Sequence, residues 1–339
     1  MGHAVLDAIK PELFDAGSQE AAAFHEAFAD ISAIMSALQL PSLRASVLKE
    51  TNGRFYRSSR LSRLAEQLGA AIRAQDPSSA DPDCLRNAVN AFTYSDPTDL
   101  PSSAPASQVS SEPHSFSRIF SGAFYEALGG ALQAKAANPS APTADELLAV
   151  ANDLAGALVK AIEAAPVVPS WYAQVAAHMV IESAAFDAKY PPVLKAVFVR
   201  RQILSLHSAH GMNQATHAAH TIALAAAAPR REPLPEVCLP AHHLGVEGLV
   251  LVRAAAQPRV FLAFAADTDA SPLDPPSGTL AARAFLDDLF TRGRVHTDDV
   301  VAPEDRLDHG RRLKTHRLVP VEGGARLKRV LFDCGLCRH

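Results

Sequence analysis

The chain has 339 residues, a net charge of -4 at pH 7 and 48% hydrophobic residues, a composition typical of a soluble globular protein. The small negative charge and the dispersed lysine and arginine residues argue against a nucleic-acid partner. No apolar run is long enough to span a bilayer, so we expect no membrane contact. Four cysteines are too few for a disulfide framework in a chain of this size.

The first thirty residues predict two helices that carry part of a zinc site. His3 and Asp7 are four residues apart, so they share one face of a helix that must end at Pro11. Glu26 and Asp30 are likewise four apart, on a second helix. An apolar stripe on another face of that helix must be buried, and it consists of Phe24, Phe28, Ile31, Met35 and Leu38.

The first residues also match the end of a known metal-binding motif. In the motif His-Glu-x-x-His, two imidazoles one turn apart bind zinc, and the glutamate acts as general base on the metal-bound water. Met1, Gly2 and His3 would complete this motif if His and Glu preceded Met1. We therefore hypothesise that the genuine start lies upstream and that His3 is the second histidine ligand.

In this spacing the chain resembles the gluzincins, and in particular the thermolysin-like (M4-type) zinc metallopeptidases. In that family an Asp follows the second His by about one turn, and the third zinc ligand is a Glu in a motif like Asn-Glu-Ala-(apolar)-Ser-Asp. His25-Glu26-Ala27-Phe28-Ala29-Asp30 matches this motif with Asn and Ser replaced. The resemblance implies that His3 and Glu26 bind zinc, and that Asp7 and Asp30 are outer carboxylates. Asp30 would orient the missing first histidine.

Two further segments occur in the family's order, and the resemblance covers roughly residues 1–205. The first is similar to the family's arginine-bearing loop and runs from Arg86 to Pro97, with Tyr94 and Asp96-Pro97 at the matching offsets. The second, Glu112-Pro113-His114-Ser115-Phe116, is similar to the segment whose histidine stabilises the transition state.

The resemblance implies that Arg86 binds a substrate carbonyl oxygen and that His114, placed just before a helix, stabilises an oxyanion. In the family an Asp ahead of this histidine orients it, whereas residues 107–111 hold no carboxylate, which leaves Glu112 as a substitute. On the sequence alone, Arg86 is equally well a surface residue of an irregular loop, and His114 a surface residue near a helix cap.

The predicted fold is mainly α, with the helical lobe of a zincin at residues 1–229 and a small α+β appendage of unknown role at residues 230–339. The lobe includes a long substrate-side loop at residues 76–113, which is rich in proline and serine. Helical periodicity predicts the remaining helices of the lobe at about 61–74, 115–138, 143–164, 171–189 and 193–206. The alternative for the last helix is a continuation through Gly211 to Ala227. In the appendage we expect a helix at about 279–291 and hairpins around Gln257-Pro258 and Glu322-Gly323-Gly324.

Two other groups of possible ligands are interpreted without a metal. Cys334-Gly335-Leu336-Cys337, followed by His339, has zinc-knuckle or redox spacing, but a single CxxC without a second pair is a weak signal, so we interpret it as two free thiols. A histidine cluster with no carboxylate among its members is interpreted as a polar helix face, and it consists of His207, His210, His217 and His220.

The sequence thus predicts a zinc-dependent metallopeptidase acting on a peptide or protein, with one catalytic zinc in the full-length protein. Since the first His ligand and the general-base Glu are missing, we expect weak or no zinc binding and no peptidase activity from the chain as given.

The alternative is a non-enzymatic protease remnant that serves as a helical binding or scaffold module. A third possibility is an unrelated helical protein, whose matching side chains would point to different surfaces. The enzyme hypothesis requires that His3, Glu26 and His114 converge, with Arg86 nearby. No signal peptide is visible, and localisation and oligomeric state stay open.

Overall fold

The computed structural model describes residues 1–214, 233–255, 277–298, 300 and 313–332. Within these ranges the chain is mainly helical with a small mixed sheet, as the sequence predicts. The helices are α1 (Gly2–Ile9), α2 (Gln19–Ala37), α3 (Pro41–Thr51), α4 (Glu66–Gln75), α5 (Pro113–Lys135), α6 (Ala144–Ala164), α7 (Trp171–Ser183), α8 (Tyr190–Arg200), α9 (Leu206–Gln214) and α10 (Gly278–Thr291).

The strands of the described residues form two sheets of different size. In the smaller sheet, β1 (Arg63–Leu64) pairs antiparallel with β2 (Arg86–Asn87). The larger sheet has the order β3-β4-β7-β6-β5 and consists of β3 (Glu236–Pro240), β4 (Leu249–Arg253), β5 (Val295–His296), β6 (His316–Val321) and β7 (Gly324–Arg329). Strand β4 is antiparallel to β3 and parallel to β7, whereas β6 is antiparallel to β7 and parallel to β5.

Helix α2 lies at the centre of the helical part. Its start is set by Ser18, whose side chain accepts a hydrogen bond from the amide of Ala21. The predicted apolar stripe is buried except for Met35, which is half-buried and packs against the core. Edge-to-face contacts join the ring of Phe24 to those of Phe120 on α5 and Trp171 on α7, at 5.1 and 5.6 Å between centroids. Helix α2 is therefore fixed by packing on several sides, which gives the polar residues along it defined positions.

Several predicted helix boundaries differ from the structure. The helix predicted from residue 61 begins only at Glu66, because Arg63 and Leu64 pair with β2 instead. The helix predicted to reach residue 189 ends at Ser183, and the next one runs from Tyr190 to Arg200. The capping box of α6, by contrast, is confirmed: Thr143 accepts from the amide of Glu146, and the Glu146 carboxylate accepts from the amide of Thr143.

The appendage packs its sheet against α10, and its predicted second hairpin is confirmed. Strands β6 and β7 are joined by Glu322 and Gly323, and Gly323 has a φ of 79°, which suits glycine. Their apolar side chains join a cluster made of residues such as Val250, Val252, Phe285, Leu286, Leu289 and Leu318. The second strand of the other predicted hairpin lies outside the described residues, and β4 pairs instead with β3 and β7.

The loop between α1 and α2 contacts the appendage closely. The amide of Gly17 donates to the carbonyl of Arg253 at 2.8 Å, and a Cβ on Gly17 would lie 2.5 Å from the side chain of Val252. In addition, Nη1 of Arg253 contacts Asp15 at 2.6 Å, and Nε of Arg329 donates to the carbonyl of Phe14 at 2.7 Å. These contacts hold the ends of β4 and β7 beside the start of α2.

Among the described residues no single helix is long and apolar enough to cross a membrane, and one bent pair, α2 and α3 at 102°, passes on length and composition alone. Two members of the predicted histidine cluster, His207 and His210, lie on α9. The others, His217 and His220, lie outside the described residues, as do Cys334, Cys337 and His339.

Candidate functional site

A close crossing of α1 and α2 brings the first predicted pair together. A Cβ on Gly2 would lie 2.8 Å from the Cα of Ala29, so glycine allows the two backbones to approach. Next to this contact, Nε2 of His3 lies 3.7 Å from Oε1 of Glu26, and the two side chains are 20% and 8% exposed. The two predicted zinc ligands are therefore adjacent in a largely buried position.

The start of α5 adds His114 to this pair. Pro113 occupies the first helical position and Glu112 is the N-cap, whose carboxylate accepts from the amide of Ser115 at 2.9 Å. His114 thus lies in the first turn of α5, whereas the sequence predicted it just before the helix. Its Nδ1 lies 2.7 Å from Oε1 of Glu112, and its Nε2 lies 3.3 Å from Oε2 of Glu26. His114 is therefore held between two carboxylates.

Arg86, on strand β2, binds Asp30, which lies one helical turn beyond Glu26 on α2. Its Nε and Nη2 donate to the two oxygens of Asp30 at 3.0 and 2.8 Å, which is the bidentate geometry that guanidinium favours. Nη1 of Arg86 takes no part in this ion pair. Asp30 is therefore bound by an arginine rather than by an imidazole. The histidine next to Asp7 is His25 and not His3. Oδ1 of Asp7 lies 3.9 Å from Nε2 of the buried His25.

Burial and neighbouring charges set the protonation of these groups. Burial raises the pKa of Glu26 to about 7, although the positive charges of His114 and Arg86 act in the opposite direction. Burial alone would lower the pKa of His114, but Glu112 and Glu26 outweigh it and raise that pKa to about 9. Despite its own burial, Glu112 is held well below its usual pKa by His114. Burial and the nearby His114 lower the pKa of His3 to about 4. At neutral pH, therefore, His114 is a cation and His3 is neutral.

The donor types of His3 and Glu26 fit a zinc ion in part. Zinc binds imidazole nitrogen and carboxylate oxygen at about 2.0 to 2.2 Å, so two ligand atoms on one ion lie within about 4 Å of each other. The separation of 3.7 Å between Nε2 of His3 and Oε1 of Glu26 meets this limit. Within the described ranges, however, no group of three or more His, Cys, Asp or Glu side chains is arranged to hold a metal ion. Two donor atoms are therefore close enough to share one ion, whereas a catalytic zinc takes three protein ligands.

The appendage forms one wall of the site, which the sequence analysis missed. A cavity of about 30 Å³ lies between Glu26, Glu112 and His114 on one side and the appendage on the other, where it is lined by Phe285, Leu289, Arg292, Arg294, Thr315, His316, Arg329 and Phe332. The ring of Phe332 stacks on His3 at 4.5 Å and 8°. No local sequence signal predicts this wall, because the residues carry no motif and only the tertiary docking of α10, β6 and β7 brings them to α2.

A second, larger cavity of about 610 Å³ lies elsewhere on the helical part. Its mostly apolar lining comes from the loop after α3, from the segment after β2, from α5 and from α8. It includes Phe55, Val89, Tyr125, Val193 and Val197. Tyr125 is eleven residues beyond His114 on α5, which corresponds to about 16 Å along the helix axis. This cavity is therefore separate from the candidate site.

Comparisons with known proteins give no relative for this chain. No protein-family model, no curated protein and no solved structure matches it.

Proposed function

We propose that this chain carries the helical lobe of a thermolysin-like zinc metallopeptidase, with His3 and Glu26 as zinc ligands. The observation that carries the proposal is the contact of Glu26 with both His3 and His114, at 3.7 and 3.3 Å. These three residues come from three separate helices, and all three match positions of the family motif in the sequence. Arg86, the fourth selected residue, is joined to the same face of α2 through Asp30.

Each of the chain's own groups has a role in this proposal. Zinc, when bound, would polarise the scissile carbonyl and lower the pKa of a water molecule. His114 donates its Nδ1 proton to Glu112, and its Nε2 lies 3.3 Å from Oε2 of Glu26. In this proposal the Nε2 proton would stabilise an oxyanion that forms next to Glu26. Arg86 is held by Asp30 through Nε and Nη2, which leaves Nη1 to donate to a substrate carbonyl.

The polypeptide of 339 residues is expected to be inactive as a peptidase by itself. His3 and Glu26 supply two ligands, and the structure describes no third one beside them. General-base assistance alone is worth about 10²- to 10⁴-fold in rate, and neither Glu26 nor Glu112 is placed for that role if Glu26 binds zinc and Glu112 holds His114. Casein with added zinc is the substrate for this test, and proteolysis that a chelator abolishes would show the expectation to be wrong.

A gain of zinc binding tests the proposal directly. A His-Glu dipeptide placed before Met1 extends α1 and gives His-Glu-Met-Gly-His, which supplies the third ligand one turn before His3. We expect this variant to bind zinc about 100-fold more tightly or better, since losing even an outer partner of a ligand costs about 10- to 100-fold.

Two control variants separate ligand binding from chemistry. An Ala-Ala extension should leave the zinc affinity unchanged, while a His-Gln extension should bind zinc as tightly as His-Glu does but should not cleave casein. Equal zinc affinity for the His-Glu and Ala-Ala variants, with α1 still helical, would contradict the assignment of His3 and Glu26 as ligands.

One observation favours the second candidate, a non-enzymatic binding or scaffold module. Phe332 stacks on His3 and the appendage closes over Glu26, so a peptide has little access to the pair. If the His-Glu extension fails to gain zinc affinity, this second candidate becomes the better account of the same geometry.

A further inference from the structure

The wall that the appendage contributes to the candidate site is rich in guanidinium groups. Arg292, Arg294 and Arg329 line the small cavity opposite Glu26 and His114. Two of them are anchored from behind: Nε of Arg292 donates to Asp288 at 2.9 Å, and Nη1 of Arg294 donates to the carbonyl of Leu313 at 3.1 Å. The appendage therefore presents fixed positive groups to the site.

One nitrogen of the Arg329 side chain has no hydrogen-bond acceptor among the described residues. Its Nε donates to the carbonyl of Phe14 at 2.7 Å, and its guanidinium lies 4.9 Å from the centre of the Phe332 ring. These contacts fix the plane of the group, but Nη2 is buried and has no hydrogen-bond partner among the described residues. Leaving a buried donor of a charged group unmatched costs free energy, so an acceptor placed there is stabilising.

The nearest carboxylate does not fill this role. Glu26 attracts Arg329 through its charge, but no hydrogen bond or ion pair within 4.0 Å joins these two described residues. Burial lowers the pKa of Arg329 to about 10, so the group is still charged at neutral pH. Glu112, the other carboxylate in the cavity lining, is engaged by His114 and by the amide of Ser115. The charged donor therefore faces a cavity without a matching oxygen.

We propose that this cavity binds a carboxylate group, with Nη2 of Arg329 as its principal donor. The volume of about 30 Å³ admits a small group, and the carboxylates of Glu26 and Glu112 disfavour a dianion such as phosphate. Guanidinium is the side chain whose geometry best matches a carboxylate. In a peptidase this group belongs to the substrate, as its chain end or as an acidic side chain; that last step rests on the proposed function, whereas the anion site itself does not.

The test uses the full chain with a chelator present, so that zinc plays no part. Acetate is titrated at constant ionic strength, and binding is measured as the rise in Tm, because a ligand that binds the native state stabilises it. We expect acetate to raise the Tm of the wild type, and Arg329→Gln to weaken binding about 10-fold or more, as expected for a charge-assisted hydrogen bond. Lys328→Gln, which removes the same charge from the exposed neighbouring position, should bind as the wild type does.

A second variant keeps the proposal testable if Arg329→Gln does not fold. Glu26→Gln removes the negative charge that competes for Arg329, so acetate should bind several-fold more tightly. The same variant would lose zinc, so the carboxylate site and the zinc site respond in opposite directions and can fail separately. No Tm rise in the wild type, or an equal rise in Arg329→Gln, overturns the carboxylate site.

The source of the carboxylate is tested with small probes. Acetylglycine carries a carboxylate next to an amide, as a peptide end does, and acetylglycinamide is its neutral counterpart. Binding of acetylglycine and not of acetylglycinamide supports a chain-end carboxylate, while binding of acetate but not of acetylglycine supports an acidic side chain. Inorganic phosphate that binds more tightly than acetate overturns the assignment to a carboxylate.

Discussion

The carboxylate of Glu112 accepts a hydrogen bond from Nδ1 of His114 at 2.7 Å, although only one residue, Pro113, separates them. Glu112 is also the N-cap of α5 and accepts from the amide of Ser115. One side chain therefore begins the helix and orients the imidazole, so that Nε2 of His114 faces Glu26. Capping and orientation are consequently coupled: a change at Glu112 alters both.

This coupling predicts the effect of Glu112→Gln in the metal-free protein. Removal of the charge should lower the pKa of His114 from about 9 toward its ordinary value of 6.5, because Glu112 is the largest of the groups that raise it. Stabilisation by the charged pair is present below 6.5 and is lost as the pH rises through 9, so the variant should lose stability mainly at lower pH. NMR titration of the imidazole measures the shift. Glu146→Gln, at the capping box of α6, is the matched control, and an unchanged pKa of His114 would rule out this role of Glu112.

Because Arg86 and Asp30 form a largely buried ion pair, we expect the free energy of unfolding to fall when only one of the two charges is removed. Their side chains are 18% and 9% exposed, so Asp30→Asn leaves a guanidinium largely buried without its anion. We expect a loss of about 3 kcal/mol in the free energy of unfolding, measured with urea. The double variant Asp30→Asn with Arg86→Met should recover most of that loss, since it removes the buried charge. Equal stability of the single and double variants would contradict a matched buried pair.

Glu20 predicts a pH dependence that is separate from the candidate site. Its carboxyl group is buried and accepts from Tyr94 and from the amide of Tyr172, each at 2.7 Å, and burial still raises its pKa from 4.5 to about 8. The native state therefore holds this proton more tightly than the unfolded chain does, so the stability from this group falls as the pH rises from 4.5 to about 8.

In Glu20→Gln this contribution disappears. One proton corresponds to a slope of up to about 1.4 kcal/mol per pH unit in the free energy of unfolding, and the difference between wild type and variant should show that slope in urea unfolding. Glu66→Gln, at the exposed first turn of α4, should not change the slope. A parallel pH profile for wild type and Glu20→Gln would show that Glu20 is ionised in the native protein.

The stacking of Phe332 on His3 predicts how accessible the imidazole is. Phe332→Ala should make His3 several-fold more reactive toward diethyl pyrocarbonate, because the ring that covers it is removed. Mass spectrometry of the modified peptide measures the rate. Leu331→Ala, at the exposed neighbouring position, is the control and should leave the reactivity of His3 unchanged.

The helical part of the fold was predictable because its signals are local. The stripe on α2, Pro11 after α1 and the capping box of α6 each act within a few residues, and the helices lie where these signals indicate. The prediction from residue 61 was wrong because Leu64 pairs with Arg86, and helical spacing cannot reveal a partner far along the chain. Pairing with a distant strand therefore determined that residues 63 and 64 form a strand and not a helix.

The proximity of several candidate residues was also predictable, whereas their proposed roles stay predictions. The contact of His3 and His114 with Glu26 matches the expected convergence, and Glu112 takes the position for which the sequence offered it as a substitute. The partner of Asp30 could not be predicted, since its bond to Arg86 depends on how β2 is placed against α2. The wall formed by Arg329 and Phe332 could not be predicted from the sequence either, because a contact between distant segments leaves no periodic pattern in either segment.

The bond between Arg329 and the carbonyl of Phe14 joins residues 315 positions apart. On the ribosome, the loop that contains Phe14 emerges long before strand β7 is made, so α1 and α2 are synthesised well before the strand that later contacts them. Contacts of such high sequence separation form late and slowly. His3 and Glu26 therefore stay uncovered in the nascent chain until β7 and Phe332 have been synthesised.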